Sequence, residues 1–298
     1  MVQFDERGKW YRGNLHTHTT VSDGRYTPEE AIALYQRMGY DFLALTDHWK
    51  LSQGGRWQDM LLLPGIELDT MVEHEGYHIV GVGLRHMPQV NRGASPQALI
   101  DAVCAAGGRA ILAHPSWSLL CPEHIAQLKG LSGAEVMNAV SQSPFNGDRA
   151  DSAVLLDITA ALGARLPFMA ADDSHFYQGE QGSCFIWINA GELTQEALLE
   201  AMDAGRFFAS QGPRFYQLEL TGNRMRVWCS PCERAVFYSD ALYRKNRVMS
   251  RPHSGYFEYM VEGTEQFVRC ELVDISGKKA WSHPYPVEDG RFVRAGSL

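Results

Sequence analysis

Long apolar runs, a disulfide framework and an excess of basic residues are all missing from this sequence of 298 residues. No apolar run approaches the length that spans a bilayer. The first residues have neither the basic start nor the apolar stretch of a signal peptide. Six cysteines in a chain of this length do not indicate a disulfide scaffold. We therefore expect a cytoplasmic protein that has no membrane partner.

The charge balance also limits the class of partner. The formal net charge is -8, which counts against a general nucleic-acid surface because such a surface needs a basic stripe. A nucleotide or a short oligonucleotide remains compatible with this charge. The closely spaced Cys229 and Cys232 have no second such pair, so we interpret them as free thiols rather than as half of a zinc site. Nothing in the sequence indicates the oligomeric state.

The pattern of polar and apolar residues changes once along the chain. From Trp10 to about Pro213, short apolar strands alternate with helical stretches, which predicts an α/β fold with a parallel sheet. A helix beginning after Thr27, a second after Ser95 and a third over residues 150–162 belong to this part. Beyond residue 213, polar and apolar residues alternate and helical spacing disappears. We therefore predict one domain at 1–213 and a small antiparallel, sandwich-like β domain at 214–298.

Histidines and acids recur where the apolar runs of the first part end. His16 and His18 stand two apart on a strand, so both imidazoles point to one side and can bind one metal ion. Asp173 and His175 repeat this spacing. The complete set of candidate ligands is His16, His18, Asp23, His48, Glu67, His78, His114, Asp173 and His175. Ligands at the ends of six or so strands favour a closed barrel over an open sheet.

Nine candidates are more than one tetrahedral ion can use. We therefore expect two or three divalent ions, with a carboxylate such as Glu67 shared between two of them. Mixed imidazole and carboxylate ligands suit Zn, Mn or Fe. Asp47 would face away from His48 on an extended strand, so we assign it a supporting role. The histidines without a strand-end setting are interpreted as ordinary residues: His74, His86, His124, His253 and His283.

At these residues the chain resembles the PHP (polymerase and histidinol phosphatase) superfamily of metal-dependent phosphoesterases. The matching motifs span roughly residues 10–212 and are Leu15-His-Thr-His-Thr19, Ser22-Asp-Gly24, Leu45-Thr-Asp-His48, Pro64-Gly-Ile-Glu67, His114-Pro115 and Asp173-Ser-His175. The resemblance implies a distorted (β/α)7 barrel with its metals at the mouth. It also implies three ligand groups: His16, His18, Glu67 and Asp173; Glu67, His78 and His114; Asp23, His48 and His175.

Within that superfamily the tail is similar to the CehA/McbA-type branch, whose members carry a C-terminal β domain. The matching segments are 205–213, Cys229-Ser230 and 274–284. The chain departs from the family in two ways. Asp172 places an extra acid before the last motif, and the link from His78 to His114 is too short for the insertion domain of some members. Substrate preferences tied to that insertion therefore do not transfer.

The expected chemistry is hydrolysis by a hydroxide that bridges two of the ions, since bound cations lower the pKa of water. His16, His18, Glu67, His114 and Asp173 would act catalytically by holding the ions. We predict a small phosphomonoester as the substrate, with contacts from Arg25, Lys50, Asn138 and Arg149. Hydrolysis of a carbamate or carboxylic ester at the same centre is the alternative. A non-catalytic, metal-stabilised binding module is disfavoured because the set of ligands is unbroken.

Overall fold

The computed structural model describes residues 1–4 and 8–293. The helices are α1 (Pro28–Arg37), α2 (Pro96–Ala105), α3 (Pro122–Ile125), α4 (Ala153–Ala161) and α5 (Gln195–Asp203), with a 3-10 turn at Ala139–Ser141. The strands are β1 (Val2–Phe4), β2 (Lys9–Asn14), β3 (Phe42–Ala44), β4 (Gly55–Trp57), β5 (Met60–Leu63), β6 (Gly65–Val72), β7 (Glu75–Val82), β8 (Arg109–Leu112), β9 (Leu131–Asn138), β10 (Phe168–Ala171), β11 (Phe185–Ala190), β12 (Phe207–Ser210), β13 (Phe215–Thr221), β14 (Arg224–Tyr238), β15 (Val248–Met260), β16 (Phe267–Val273), β17 (Lys279–Trp281), β18 (Tyr285–Glu288) and β19 (Arg291–Phe292).

The helix starts follow from local chemistry. At α1, the Thr27 side chain accepts from the Glu30 N–H and the Glu30 carboxylate accepts from the Thr27 N–H, which is the predicted capping box. Ser95 caps α2 through the Ala98 N–H. The three helices expected from the sequence are therefore confirmed, with α4 slightly shorter than its predicted range.

Two sheets organise the strands. One has five strands in the order β10-β9-β8-β7-β6, parallel from β8 to β10 and antiparallel from β6 to β8. The other runs β1-β13-β14-β16-β17-β12-β11-β2-β3-β5-β4, and its strands β2, β3 and β5 are parallel. The larger sheet is continuous across residue 213, because β12 pairs with β17.

Isolated bridges bring the two sheets together at one end. Thr17, just after β2, pairs with Ser174, just after β10. His48, after β3, pairs with Glu67 in β6. Both bridges lie in segments that carry candidate ligands. The ends of β2, β3, β6 and β10 therefore meet at one place.

Apolar side chains fill the space between these layers. One cluster packs α2 and α4 against the five-stranded sheet and includes Ile79, Val103, Leu112 and Phe168, all fully buried. A second lies among β13, β14, β15 and β16 and includes Phe215 and Phe257. The first cluster therefore supports the strands of the five-stranded sheet that lead to candidate ligands.

The mixed α/β class predicted from the sequence is confirmed, and the fold is rich in strands. The described part of the chain has only five α-helices, so the (β/α)7 alternation is not confirmed and stays a prediction. All strand pairs formed by β13 to β19 are antiparallel, as expected for the second part. None of the described helices is long and apolar enough to cross a membrane.

Candidate metal centre

The structure brings all nine candidate ligands to the end where the sheets meet. They occupy the ends of strands or the loops just after them, except that Glu67 and His78 lie within β6 and β7. His16, His18, Glu67, His114 and Asp173 are buried, whereas His48, His78 and His175 are partly exposed and Asp23 is exposed. The centre therefore has a buried base and an open rim.

Four atoms at the base have the spacing of metal ligands. His16 Nε2 and His18 Nε2 are 3.2 Å apart, and they lie 3.3 and 2.9 Å from Glu67 Oε2. Asp173 Oδ1 lies 3.1 and 3.2 Å from the same two nitrogens. Ligands bound at about 2.0–2.2 Å to one tetrahedral ion lie roughly 3.3–3.6 Å from one another. The five distances are therefore slightly shorter than those between the ligands of one ion.

Unsatisfied buried atoms agree with a metal site here. Asp173 Oδ1 and His48 Nδ1 are buried, and neither has a hydrogen bond of good geometry to another described residue. An orphaned carboxylate oxygen in the interior is costly, because burial strips its water without replacing it. A divalent cation supplies the missing partner. The residues present thus match the metal group that the sequence predicts.

Glu67 joins this base to a second group of donors. Its Oε2 faces His16 and His18, while its Oε1 lies 2.8 Å from His78 Nδ1 and 3.6 Å from His114 Nε2. The two oxygens of one carboxylate are therefore directed at two neighbouring sets of imidazoles. This is the geometry that a carboxylate shared between two ions requires.

The rim holds a third group around Asp23. Its Oδ1 lies 3.4 Å from His18 Nδ1 and 3.5 Å from His175 Nε2, and its Oδ2 lies 3.7 Å from His48 Nε2. One ligand atom from each of these four residues falls within 4.8 Å of the others. The donor groups within 4.8 Å divide the residues differently from the resemblance: His114 groups with His16 and Asp173, and His78 groups with His48 and Glu67. The three ligand groups that the resemblance implies stay a prediction.

The field inside the centre favours positive charge. Burial works against charging the His16 ring, yet Asp173, Glu67 and Glu135 raise its pKa well above the ordinary value. The pKa of His18 is raised for a similar reason. Burial also opposes ionisation of Glu67 and Asp173, but the surrounding imidazoles hold the pKa of both carboxyl groups well below the ordinary value. A cation placed among these groups meets the same favourable potential.

Glu135 is a functional residue that sequence reasoning missed. Its Oε1 accepts from His16 Nδ1 at 2.8 Å, and its Oε2 accepts from the His114 N–H and the Asn138 amide at 2.9 and 2.7 Å. The first bond places the proton of His16 on Nδ1 and leaves Nε2 free to bind a metal. The feature of the sequence that could have indicated Glu135 is its position as a lone acid inside the apolar run of β9.

Two further acids contact the segments that carry candidate ligands. Asp47 accepts from the N–H and hydroxyl groups of Thr19 and Ser22, which fixes the loop that carries Asp23. This is the supporting role expected for Asp47. Asp69, which the sequence did not single out, lies 3.5 Å from His48 Nδ1 and accepts from the Trp49 indole. It stands two residues after Glu67 on β6, so its side chain points to the same face.

Two of the ligands have left-handed backbone conformations. His114 has φ of 30° and Asp173 has φ of 51°. Such conformations cost roughly 1–3 kcal/mol in a residue with a side chain, and they persist only where the surroundings impose them. Here the strands β8 and β10 end just before these residues. The strain turns both side chains into the centre.

A cavity of about 230 Å³ opens onto the metal centre. Beyond the ligands, its described lining includes Trp117, Val140, Ser141, Asn146 and Phe176, and no Lys or Arg. Trp117 packs edge-on against the rings of His78 and His114. The wall of the cavity is therefore largely aromatic and apolar.

The four predicted substrate-binding residues lie at different distances from this cavity. Arg25 is at the rim, with its guanidinium 5.0 Å from the ring centre of Phe176. Asn138 is fully buried, and its amide donates to Glu135 and Asp173, which is the geometry of a positioning residue. Lys50 lines a separate cavity, and Arg149 is exposed. Substrate contacts by these four residues stay predictions.

The extra acid before the last motif points away from the metal ligands. Asp172 accepts from the Tyr35 hydroxyl and from the N–H groups of Gly182 and Cys184. Burial raises the pKa of Asp172 to about 7, against the effect of these bonds. It braces the segment behind the centre instead of adding a ligand.

Known proteins provide two kinds of likeness. No family model matches the sequence. Over 81 residues, the chain is 36% identical to the 5′-3′ exoribonuclease Rnm of Salmonella typhimurium and, equally, to that of Escherichia coli. Each match covers 24% of this chain and 27% of the relative, so the chain spans about a quarter of the length of these curated relatives.

A solved structure matches nearly the whole chain. It is a two-domain protein from Bacteroides vulgatus, described as containing a predicted PHP-like metal-dependent phosphoesterase. The match covers 98% of this chain and 95% of that one, with a TM-score of 0.56 and 16% identity. The two chains share a fold. At this level of identity, the likeness identifies the architecture and leaves the activity to the site itself.

Proposed function

We propose that this protein is a metal-dependent phosphoesterase. One observation carries the proposal: the Nε2 atoms of His16 and His18 lie 3.2 Å apart, and each lies 2.9–3.3 Å from a carboxylate oxygen of Glu67 and from one of Asp173. The same Glu67 extends to a second group of histidines. The shared fold with a PHP-like protein supports this interpretation.

The residues of the chain have defined tasks in such a reaction. His16, His18, Glu67 and Asp173 would hold one ion, and His78 and His114 would join Glu67 at a second. Divalent ions there supply Lewis acidity, which lowers the pKa of water and neutralises charge on the phosphoryl oxygens. Glu135 keeps the proton of His16 on Nδ1. Trp117 and Val140 exclude water from one side of the cavity.

We also propose the finer architecture that the resemblance implies. The bridges Thr17–Ser174 and His48–Glu67 connect β2, β3, β6 and β10, and this supports a distorted seven-stranded barrel. The antiparallel strands after residue 213 support a second domain at 214–298. We also propose that the protein belongs to the CehA/McbA-type branch and that it is located in the cytoplasm.

A small phosphomonoester is the substrate we favour, because the cavity of about 230 Å³ accommodates a small molecule above the ligands. Two observations support other substrates. The partial likeness to exoribonucleases favours the end of an RNA chain. The aromatic wall, without a lining cation in the described residues, favours a carbamate or carboxylic ester. All three candidate substrates would react at the same metal centre. Assays of one protein sample on each of them therefore show which one it hydrolyses.

The test begins with protein reconstituted separately with Mn, Zn and Fe(II). Each sample is assayed on a phosphomonoester, a 5′-phosphorylated RNA oligonucleotide and an aryl carbamate, and its bound metal is counted by elemental analysis. We expect two or three ions at this centre in each chain and preferential phosphate release from the monoester. The double variant His16→Ala/His18→Ala should lose that activity by at least about a hundredfold, since it removes half of the four-atom group.

His86→Ala is the matched control, because His86 is exposed and lies outside the centre. It should keep both the metal content and the activity. Turnover by the double variant at the wild-type rate would refute the metal-dependent mechanism. Carbamate turnover without phosphate release, or RNA degradation without monoester hydrolysis, would establish one of the other substrates.

A further inference from the structure

A second cluster of metal-binding side chains lies outside the centre described above and shares no residue with it. Glu75 is the first residue of β7, Cys121 precedes α3, and His124 lies within α3. One carboxylate oxygen, one thiol sulfur and one imidazole nitrogen from these residues lie within 4.8 Å of one another. The three donors come from segments 46 residues apart along the chain and converge only in the folded protein.

The cluster is anchored at its base and open at its edge. Glu75 is 3% exposed, and its Oε2 accepts from the Tyr77 hydroxyl at 2.9 Å and from His124 Nδ1 at 2.7 Å. Its Oε1 accepts from the Cys121 N–H. Cys121 is partly exposed, and the side chain of His124 is 55% exposed. An ion from solvent can therefore reach donors whose base is already held in place.

A further contact shows how closely the donors converge. The Cys121 sulfur lies 2.8 Å from Glu123 Oε2, at a carboxylate that is itself exposed to solvent. The Cys121 thiol donates to this carboxylate, which holds the sulfur at the open edge of the cluster. A thiolate, an imidazole and carboxylates are the donor types that Zn²⁺ binds in proteins.

We propose that Glu75, Cys121 and His124 form an additional zinc site. The site ties the start of β7 to the segment 114–121. His78 lies three residues after Glu75, and His114 begins that segment. The ion therefore acts as a clamp beside the metal centre and does not take part in the reaction. This role adds one ion to the number that the centre holds.

Cobalt(II) provides a direct test, because a thiolate bound to Co²⁺ gives a charge-transfer band in the near ultraviolet. The nine residues of the main centre include no cysteine, and among the described residues the proposed site is the one metal-binding group that contains a cysteine, so the band reports on that site. We expect the reduced, full-length protein to develop the band when Co²⁺ is added at stoichiometric amounts, and Zn²⁺ to abolish it. Cys121→Ser should lack the band and bind one zinc fewer per chain.

Two further variants keep the test independent of folding defects. Cys104→Ser is the matched control, since Cys104 is also exposed but has no His, Asp or Glu of a metal-binding group beside it among the described residues. It should keep the band and the zinc count. His124→Asn should weaken cobalt binding at least about tenfold. A band that persists in Cys121→Ser, or that forms only at a large excess of Co²⁺, would overturn the proposal.

Discussion

At the scale of single residues, buried acids decide how the ligands point. Glu135 is 2% exposed and accepts from three different donors: the His16 ring, the His114 N–H and the Asn138 amide. A carboxylate can accept all three because each of its oxygens has two lone pairs. The carboxylate therefore fixes two metal ligands at once, one by its ring and the other by its backbone.

Glu135→Gln should weaken metal binding by about 10–100-fold, because the amide has a single accepting oxygen and cannot satisfy all three donors. The measurement is a metal titration by calorimetry, followed by phosphatase assays at saturating metal. Glu196→Gln, on the exposed face at the start of α5, is the control and should bind metal as the wild type does. Unchanged affinity in Glu135→Gln would show that His16 needs no such support.

At the scale of elements, β10 is held by a histidine from the C-terminal part of the chain. His283 follows β17, and its Nδ1 accepts from the Phe168 N–H at 3.1 Å. Burial lowers the pKa of His283 to about 3, since no acid compensates for the lost water. β10 ends two residues before Asp173, so this neutral histidine anchors a strand that leads to the metal centre.

Acid should destabilise the protein through His283. In the unfolded chain the imidazole binds a proton below about pH 6.5, whereas in the folded chain it stays neutral down to about pH 3. The unfolded state therefore holds the extra proton between these values. Stability should fall by about 1.4 kcal/mol per pH unit from this group as the pH drops through that window. Above about pH 7 the group has no effect.

The comparison of wild type with His283→Asn isolates this contribution from that of the other histidines. Asparagine offers an accepting oxygen for the Phe168 N–H but does not titrate. Urea unfolding of both proteins at several pH values between 4 and 8 gives the two slopes. Equal slopes would mean that His283 is protonated in the folded state or is not buried.

At the scale of the whole molecule, one buried arginine connects the two parts of the chain. Arg269, in β16, donates from Nε and Nη2 to the two carboxylate oxygens of Asp157, in α4, at 2.6 and 2.7 Å. Its guanidinium also lies over the rings of Tyr238 and Phe168, at 4.0 and 5.2 Å. The side chain is 1% exposed, so solvent screens this pair very little.

Arg269→Met should lower the free energy of unfolding by about 3–5 kcal/mol, because it leaves the carboxylate of Asp157 without its partner in a poorly hydrated place. Arg109→Met is the matched control: Arg109 makes the same two-pronged contact with Asp203, but that pair is partly exposed. It should cost less than about 1 kcal/mol. The free energy of unfolding of both variants is measured by urea unfolding. Similar losses in the two variants would show that burial does not set the contribution of the ion pair to stability.

The sequence could bring the candidate ligands to attention because their signals are local. Residues two apart on a strand share a face, so His16 and His18 point to one side whatever the rest of the chain does. Strand ends in a parallel α/β unit gather at one edge, which brought His114 and Asp173 to the same place, whereas Glu67 lies near the start of the antiparallel strand β6. The capping box at Thr27 is likewise complete within four residues.

Contacts between distant segments could not be predicted in this way. Glu135 is one acid in an apolar strand, and only the pairing of β8, β9 and β10 puts it behind His16. Lys50 lies two residues after the candidate ligand His48, yet Trp49 between them has a left-handed backbone and Lys50 lines another cavity. The cluster of Glu75, Cys121 and His124 also forms only through tertiary contacts.

The sequence by itself determined the α/β class, the sites where helices begin and the identity of the candidate metal ligands. These depend on periodicity, capping and spacing, which act over a few residues. Only the tertiary structure decided which acids support those ligands, which side chains line the cavity and how Arg269 joins the two parts. These depend on which distant strands pair, and that choice follows from burying apolar surface across the whole chain.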